Sequence, residues 1–279
     1  MVEVGDGVYC LEAGGGFMRS NVHFVRTTSG WVLIDTASAG CEAVIQSAAA
    51  RLLGQGVRPE AMFLTHVHPD HSGAAPALAR EWDCPVYVHA DELKFAIADA
   101  STFFAAYEDY ASGSRSWRAP ALDRSIVLPM MRLLPRGRRT RVLDRQSLKG
   151  RALAFDGGTE LPYLSDWRAV ATPGHTPGHV SFFRQRDGLL ISGDAVVTTE
   201  LNTAVGFLRW TFGGGEKRLA PPPRYFTWSR SVAEQSIAVL AELRPNVIAP
   251  GHGSAMSGAD VSERLVALAD PNREVIVAT

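Results

Sequence analysis

Residues 65–71 have the sequence Thr-His-Val-His-Pro-Asp-His, in which four of the seven side chains can bind a divalent metal ion. They follow the apolar run 61–64, which predicts a buried strand that ends where the polar residues begin. Imidazole nitrogen and carboxylate oxygen are suitable ligands for a borderline metal such as zinc. The alternative is a polar loop rich in histidine, but three of the chain's eight histidines lie in this stretch. A metal site is therefore the better interpretation.

The spacing within this stretch predicts how its side chains meet. His66 and His68 are two positions apart, so at an extended strand end both imidazoles point to the same side. Pro69 breaks the strand and favours a tight turn. This turn is expected to bring Asp70 and His71 round to the same pocket.

Three further loops place metal-binding residue types at the ends of predicted strands. His175 lies in Pro-Gly-His-Thr-Pro-Gly-His, Asp194 in Ser-Gly-Asp and His252 in Pro-Gly-His-Gly. In each loop a glycine precedes the candidate ligand, which allows the backbone to turn sharply and approach a crowded site. Each loop alone is weak evidence, but the four loops together predict one metal centre.

The elements that must position these loops are those of an α/β protein. Short β-prone runs separated by turn residues predict a β-meander over residues 8–35. Strands and helices then alternate, which predicts α/β layering with a largely parallel or mixed sheet. Strands are expected at 8–13, 21–27, 31–35, 61–64, 85–89, 151–155, 167–171, 180–184, 189–192 and 247–249. Helices are expected at 40–54, 73–82, 91–110, 229–243 and 260–270.

Residues 91–150 depart from this alternation and predict a helical insertion within a single domain that spans residues 1–279. Its aromatic residues either form a local core or the apolar face of a lid over the metal pocket. These aromatic residues are Phe95, Phe103, Phe104, Tyr107 and Tyr110. A basic run, from Arg132 to Arg151, is either a solvated face or a clamp for an anionic substrate.

Composition excludes some classes of protein. With 279 residues, 46% hydrophobic and 20% charged, the chain is typical of a soluble protein with a sizeable core. The net charge of −1 favours neither nucleic acid nor an anionic membrane as a partner. Three dispersed cysteines indicate a reducing compartment. Because no signal-peptide pattern or long apolar run is present, we expect a cytoplasmic protein that acts on a small molecule, with or without homo-oligomerisation.

The candidate ligands resemble, in order and spacing, the pattern of the metallo-β-lactamase fold superfamily of hydrolases. The matching positions are His66, His68, Asp70, His71, His175, Asp194 and His252. Asp35 matches the acidic residue that precedes the motif in that family, so the resemblance spans residues 35–252. It implies a four-layer αβ/βα sandwich with the metals at one edge, between two sheets.

The resemblance also implies two divalent cations, of which zinc is expected and iron or manganese would accept the same ligands. The first metal would be held by His66, His68 and His175, the second by Asp70, His71 and His252, with Asp194 bridging them. Coordination lowers the pKa of water from ~15.7 to ~7, so a metal-bridging hydroxide is the expected nucleophile.

Other residues are assigned supporting roles. Asp70, on the second metal, is the candidate catalytic residue that orients the nucleophile and moves its proton. Asp35 is expected to accept the spare N–H of a ligand histidine, and His179 to lie just outside the coordination sphere. His23 and His89 are interpreted as structural. Four aromatic residues are candidates for the pocket mouth: Phe17, Tyr163, Trp210 and Tyr225.

Within the superfamily the chain resembles the glyoxalase II-like and lactonase-like branches. It shares Gly-His-Thr-x-Gly-His at 174–179 with glyoxalase II, although only 27 residues follow His252, where that branch adds a glutathione-binding domain. Val197 stands where acyl-homoserine lactonases have a tyrosine. We therefore expect a binuclear hydrolase that cleaves an ester, thioester or lactone. The alternatives are an RNA- or phosphodiester-processing enzyme and a mononuclear-iron enzyme similar to persulfide dioxygenases.

Overall fold

The strands of the protein form two sheets. The computed structural model describes residues 1–112, 120, 123–156 and 160–270. The strands in these residues are β1 (Val2–Gly5), β2 (Val8–Ala13), β3 (Ser20–Arg26), β4 (Trp31–Ile34), β5 (Ala61–Phe63), β6 (Val86–His89), β7 (Ala152–Phe155), β8 (Trp167–Ala171), β9 (Val180–Arg184), β10 (Leu189–Gly193), β11 (Val247–Pro250) and β12 (Met256–Ser257). The first sheet contains β1 to β7 in chain order, and the second has the order β12-β11-β10-β9-β8.

The helices lie between and outside these strands. They are α1 (Glu42–Leu53), α2 (Pro69–Ser72), α3 (Ala75–Trp82), α4 (Ala90–Ala96), α5 (Phe103–Ser112), α6 (Leu128–Leu133), α7 (Arg136–Gln146), α8 (Ala204–Thr211), α9 (Arg230–Glu242) and α10 (Val261–Ala269). A 3₁₀ turn at Gly16–Met18 and a π-helical turn at Asp123–Val127 are also present. Among the described helices, none has both the length and the apolarity that a bilayer crossing requires.

Both sheets are mixed, and their parallel portions meet at one edge. In the first sheet β1 to β4 form an antiparallel meander, whereas β4 to β7 are parallel. In the second sheet β9 is antiparallel to β8 and β10, and β10 is parallel to β11. Because parallel strands end on the same side, the loops after β4, β5, β10 and β11 can share one site.

Alternating side chains divide the core into three layers. In β4, Leu33 packs in a cluster with residues of α1 and α3, and the next residue, Ile34, packs in the cluster between the sheets. In β9, Phe182 belongs to the intersheet cluster, while Phe183 packs with residues of α9 and α10. The order helix, sheet, sheet, helix confirms the four-layer sandwich that the resemblance implied. The central strands β4, β5, β9 and β10 are buried on both faces, as strands covered by helices require.

The largest difference from the expected elements is at residues 91–110, where two helices replace one. The chain leaves the helical path between α4 and α5 because Asp99 satisfies local donors instead. Its side chain accepts from the backbone N–H and the hydroxyl of Ser101, and its carbonyl accepts from the N–H of Phe103. Such side-chain bonds compete with helix propagation and start a new helix. Strands β1 and β12 and helix α8 were not predicted.

The predicted insertion corresponds to helices α4 to α7, which connect the parallel neighbours β6 and β7. Part of it, at 113–119 and 121–122, lies outside the described residues. The basic side chains on α7 are mostly solvent-exposed, as the solvated-face interpretation expects. Two aromatic residues of the insertion pack against Trp228: Tyr107 stacks on that ring with centroids 5.9 Å apart, and Phe95 contacts both rings.

Candidate metal centre

The seven candidate ligands converge at the shared edge of the two sheets. They come from the loop after β5 with the one-turn helix α2, and from the loops after β8, β10 and β11. Their donor atoms form three overlapping groups, and within each group the atoms lie within 4.8 Å of one another. The groups are His66, His68 and His175; His66, His71 and Asp194; and Asp70, His71 and His252. The predicted turn at Pro69 is α2, with the proline at its first position.

Three imidazoles meet on one side of the site. Nδ1 of His68 lies 3.1 Å from Nε2 of His66 and 2.9 Å from Nε2 of His175. His66 and His175 are fully buried, and His68 is partly exposed. Each of the three rings therefore directs one nitrogen into the cluster.

Asp194 lies between the two halves of the site. Its oxygens are 3.4 Å from Nε2 of His71, 3.4 Å from Nε2 of His175 and 3.2 Å from Nε2 of His252. On the far side, Oδ2 of Asp70 is 3.3 Å from Nε2 of His252. The structure therefore gives Asp194 the central position that a bridging ligand needs.

The donor set fits divalent cations. Ring nitrogens about 3 Å apart direct lone pairs at one another, an arrangement that needs a proton or a cation between them. Oδ1 of the buried Asp194 makes no hydrogen bond of good geometry among the described residues, and its contact with Nε2 of His71 is long, at 3.4 Å. A buried carboxylate oxygen without a donor is costly unless a cation neutralises it. Nitrogen and oxygen ligands in this mixture suit zinc, iron or manganese.

Asp35 contacts His71 directly and His66 through the hydroxyl of Thr65. It has φ of 60°, a left-handed conformation that aspartate tolerates better than most residues. Its carboxylate accepts from the backbone N–H and hydroxyl of Thr65 and contacts Nδ1 of His71, each at 2.8 Å. The Thr65 hydroxyl in turn lies 3.0 Å from Nδ1 of His66. Asp35 thus occupies the position expected of a carboxylate that fixes a ligand histidine.

The remaining histidines lie outside the ligand groups. His179 is buried beside them, and its Nε2 accepts from the backbone N–H of Asp194 at 2.9 Å, so that nitrogen is not free for a metal. His23 is fully buried on β3, and burial, with a smaller effect of His71, lowers its pKa to about 3. His89 accepts from the N–H of Asp91 at the start of α4.

Two orienting groups were missed by sequence reasoning. Nδ1 of His175 lies 3.2 Å from the hydroxyl of Thr227, and Nδ1 of His252 lies 2.8 Å from the carbonyl oxygen of Arg19. A threonine before a helix has no distinctive pattern, and a backbone carbonyl has none at all. Phe226, also missed, packs its ring 6.4 Å from that of His68.

Of the aromatic candidates for the pocket mouth, Trp210 and Tyr225 lie near the candidate ligands and Tyr163 does not. The ring of Trp210 lies edge-on to His252 at 5.8 Å, and Tyr225 packs on Phe226 at 5.3 Å. Phe17 is half exposed. Tyr163 lies near Tyr87 of β6 instead, in the loop before β8.

Two glycines allow the close approach that their motifs predict. A Cβ atom on Gly251 would lie 2.2 Å from Oδ1 of Asp194 and 2.6 Å from Cε1 of His71. A Cβ atom on Gly193 would lie 2.7 Å from Nε2 of His179, and φ of 50° there also disfavours a side chain. The backbone before each ligand is therefore part of the wall of the site.

Comparison with known proteins identifies the family of this site. Residues 15–252 match the model of the metallo-beta-lactamase superfamily, a range that includes all seven candidate ligands. The chain belongs to this superfamily. The chain is also similar to the probable metallo-hydrolase YflN of Bacillus subtilis, 34% identical over 254 residues, which are 90% of this chain and 87% of YflN.

Solved structures of other proteins share the fold. The metallo-beta-lactamase family protein TTHA1429 of Thermus thermophilus superimposes with a TM-score of 0.61 at 22% identity, over 94% of this chain and 78% of that one. TTHA1623, solved in a di-iron-bound form, superimposes with a TM-score of 0.53 at 22% identity, over 89% and 94% of the two chains. At these identities the likeness shows the fold alone.

The electrostatics of this superfamily site differ between its two halves. Burial, with help from neighbouring imidazoles, lowers the pKa of His66 and His175 well below the ordinary value. Burial also lowers the pKa of His68, to about 4. Burial opposes protonation of His71 and His252 too, but nearby carboxylates outweigh it. They raise the pKa of His71 well above its usual range and that of His252 to about 10.

Loading metal-free protein with zinc should therefore release protons. The raised pKa values of His71 and His252 favour the protonated imidazoles in the metal-free protein, and each must lose its proton to offer its Nε2 lone pair. We expect about two protons per chain from these imidazoles on loading at pH 7, in addition to any released by metal-bound water. Because both pKa values are raised, apparent affinity should increase as the pH rises above 7 and both imidazoles lose their protons. Calorimetric titration in buffers of different ionisation enthalpy measures the release; a value of zero at pH 7 would contradict this expectation.

Proposed function

We propose that this protein is an enzyme that uses two divalent cations to hydrolyse an ester, thioester or lactone bond in a small, partly apolar substrate. The main support is the convergence of imidazoles and carboxylates around the central Asp194–His71 contact, within 4.8 Å in each ligand group. A fold without metal chemistry has no reason to bury so many ionisable groups together.

The proposed cations are two zinc ions. His66, His68 and His175 would hold one, Asp70, His71 and His252 would hold the other, and Asp194 would be shared between them. When bound, such cations supply hydroxide at neutral pH and polarise a carbonyl oxygen. Iron is the strongest competitor, since TTHA1623 has the same fold and was solved in a di-iron-bound form. Elemental analysis of protein purified from cells decides between them.

Asp70 is the group proposed to orient the nucleophile and take its proton. Its side chain is 16% exposed, whereas that of Asp194 is 3% exposed. Asp70 therefore borders the solvent-accessible side of the site, where a water and a substrate enter. Burial acts to raise its pKa, but His71 and His252 hold it below the ordinary value, so the carboxylate is ionised and able to accept a hydrogen bond.

The surroundings of the site favour a substrate with an apolar part. Phe226 borders His68, and Trp228 with Tyr107 and Phe95 forms an aromatic cluster next to it along the chain. Val197 is fully buried among apolar side chains, so no hydroxyl reaches the site from that position. The exposed arginines of α7 support no phosphate clamp beside the ligands.

The proposal is tested with a panel of substrates and a metal assay on one preparation. We expect about two metal ions per chain, turnover of esters, thioesters or lactones, and loss of that turnover after chelation. A phosphodiester cleaved faster than every carbonyl substrate would favour nucleic-acid processing instead. A single iron with oxygen consumption in the presence of a persulfide would favour a dioxygenase.

We further propose that Phe95 and Tyr107, the residues of the insertion that pack on Trp228, form a lid that covers the apolar part of the substrate. Tyr107→Ala should then raise KM for long-chain acyl esters about tenfold, because a buried aromatic contact contributes roughly 1.5–3 kcal/mol. The kcat value and the KM for acetyl esters should change little. Phe104→Ala is the control, because that ring packs against Arg132 and Arg139 and, among the described residues, reaches Tyr107 only through Phe103. If Tyr107→Ala had the wild-type KM for every acyl length, the insertion would have a structural role and would not contact the substrate.

A further inference from the structure

Glu92 is a buried carboxylate that the sequence did not distinguish. It lies in the first turn of α4, is 1% exposed, and belongs to none of the three ligand groups. Its Oε2 accepts from the backbone N–H of Val67 at 3.0 Å, and its Oε1 accepts from the backbone N–H of Gly178 at 2.9 Å. One side chain thus joins the loop after β5 to the loop after β8.

The two bonded amides belong to the segments that hold the first group of ligands. Val67 stands between His66 and His68, and Gly178 is three residues after His175. The histidines from the two segments approach to 2.9 Å, between Nδ1 of His68 and Nε2 of His175. A metal site depends on such spacing to within a few tenths of an ångström, so the tie between the loops affects the site directly.

Helix α4 is held against the His175 loop by two further contacts. A Cβ atom on Gly178 would lie 2.9 Å from Cβ of Asp91 and from Cγ of Glu92, so glycine is needed for this approach. One turn along α4, Phe95 packs on the Trp228 ring with centroids 5.7 Å apart, and the backbone N–H of Trp228 donates to the carbonyl of His175 at 3.1 Å. Helix α4 therefore contacts the His175 loop directly at Gly178 and is linked to His175 through Trp228.

We propose that Glu92 is a positioning residue that sets the geometry of the first metal site, formed by His66, His68 and His175. The inference rests on the proposed function. Both carboxylate oxygens are acceptors, which matches two backbone donors that point at them from different loops. Glutamine at this position has one acceptor oxygen, and its NH₂ group would face one of the two N–H groups. The isosteric change therefore breaks one tie without leaving a cavity.

The test is zinc affinity of the full chain, measured by competition with a chromophoric chelator. Glu92→Gln should weaken binding of one of the two zinc ions roughly 10–100-fold, and the other much less. The same loss should persist in an Asp70→Ala background, where the second site is already impaired. With cobalt in place of zinc, the visible absorption of the first site should change in the variant. Asp91→Asn is the matched control, because Asp91 is adjacent on α4 and its side chain is 59% exposed.

A second variant protects the test against misfolding. Gly178→Ala keeps Glu92 but forces α4 away from the loop, and it should weaken the same zinc ion. If Glu92→Gln and Gly178→Ala lower only the thermal midpoint of the metal-free protein and bind both ions as wild type does, the inference is wrong and the two-metal function stands. If the wild-type protein takes up no cation, the proposed function fails and this inference fails with it.

Discussion

Replacing Asp70 by alanine is expected to lower kcat for ester hydrolysis by roughly 10²–10⁴-fold, the usual contribution of a positioned proton acceptor. The carboxylate lies at the exposed side of the site, 3.3 Å from Nε2 of His252, and it belongs to the group of Asp70, His71 and His252 that is assigned to the second metal. The variant should therefore also lose metal, from about two ions per chain to about one. Turnover at saturating substrate and elemental analysis of the same sample measure both effects.

The control for this variant is Asp6→Ala. Asp6 is 80% exposed and pairs with Arg186, so its loss removes a surface carboxylate and no ligand. We expect wild-type turnover and metal content from it. If Asp70→Ala kept full kcat, Asp70 would have no role in the reaction, even if the rest of the metal centre proved to be intact.

The second large effect is expected from Asp35→Asn, which removes the negative charge beside Nδ1 of His71 but keeps the shape of the side chain. The asparagine oxygen can still accept from the N–H of Thr65, as Asp35 does at 2.8 Å. Its NH₂ group then faces Nδ1 of His71, where two donors cannot both remain. His71 is driven to the tautomer with hydrogen on Nε2, and that nitrogen can no longer bind a metal. Affinity for the second metal should fall roughly 10–100-fold, measured by chelator competition.

A matched control exists for this substitution as well. Asp83 also has a left-handed backbone, with φ of 47°, and its side chain is 74% exposed beside Arg151. Asp83→Asn repeats the same chemical change at the same kind of backbone position, so it should leave metal affinity unchanged. Activity of Asp35→Asn that recovers in excess zinc would show that affinity, rather than folding, was lost. Unchanged affinity would mean that the charge of Asp35 has no role in holding His71.

The sequence was sufficient to predict α/β layering and to choose the residues that the structure brings together, and its resemblance to the superfamily implied the four layers. The layering could be predicted because buried strands alternate with amphipathic helices along the chain, and this pattern is local. The candidate ligands could be chosen because each stands close after such a strand, where few residue types other than ligands have reason to be polar and buried. Asp194, for example, follows β10 directly.

The limits of the sequence are clearest at the helix break near Asp99 and at the partners of the ligands. Asp99 has the residue type of a helix cap, but aromatic residues on both sides gave the segment a continuous helical pattern. Only the competition between side-chain and backbone bonds in the folded chain decides where the helix stops. His179, by contrast, was expected near the site, and the structure places it against the backbone of Asp194.

The sequence by itself determined the ligand types and the side of the sheets on which they lie, because strand ends and residue spacing fix both within a few positions. Only the tertiary structure decided which nitrogen of each candidate ligand histidine faces the centre of the site. That choice belongs to partners far along the chain: Thr227 is 52 residues from His175, and the carbonyl of Arg19 is 233 residues from His252. The same holds for Glu92, whose two partners lie 25 and 86 residues away. Backbone amides and carbonyls occur at nearly every residue, so their pairing is specified by packing and leaves no mark in the sequence.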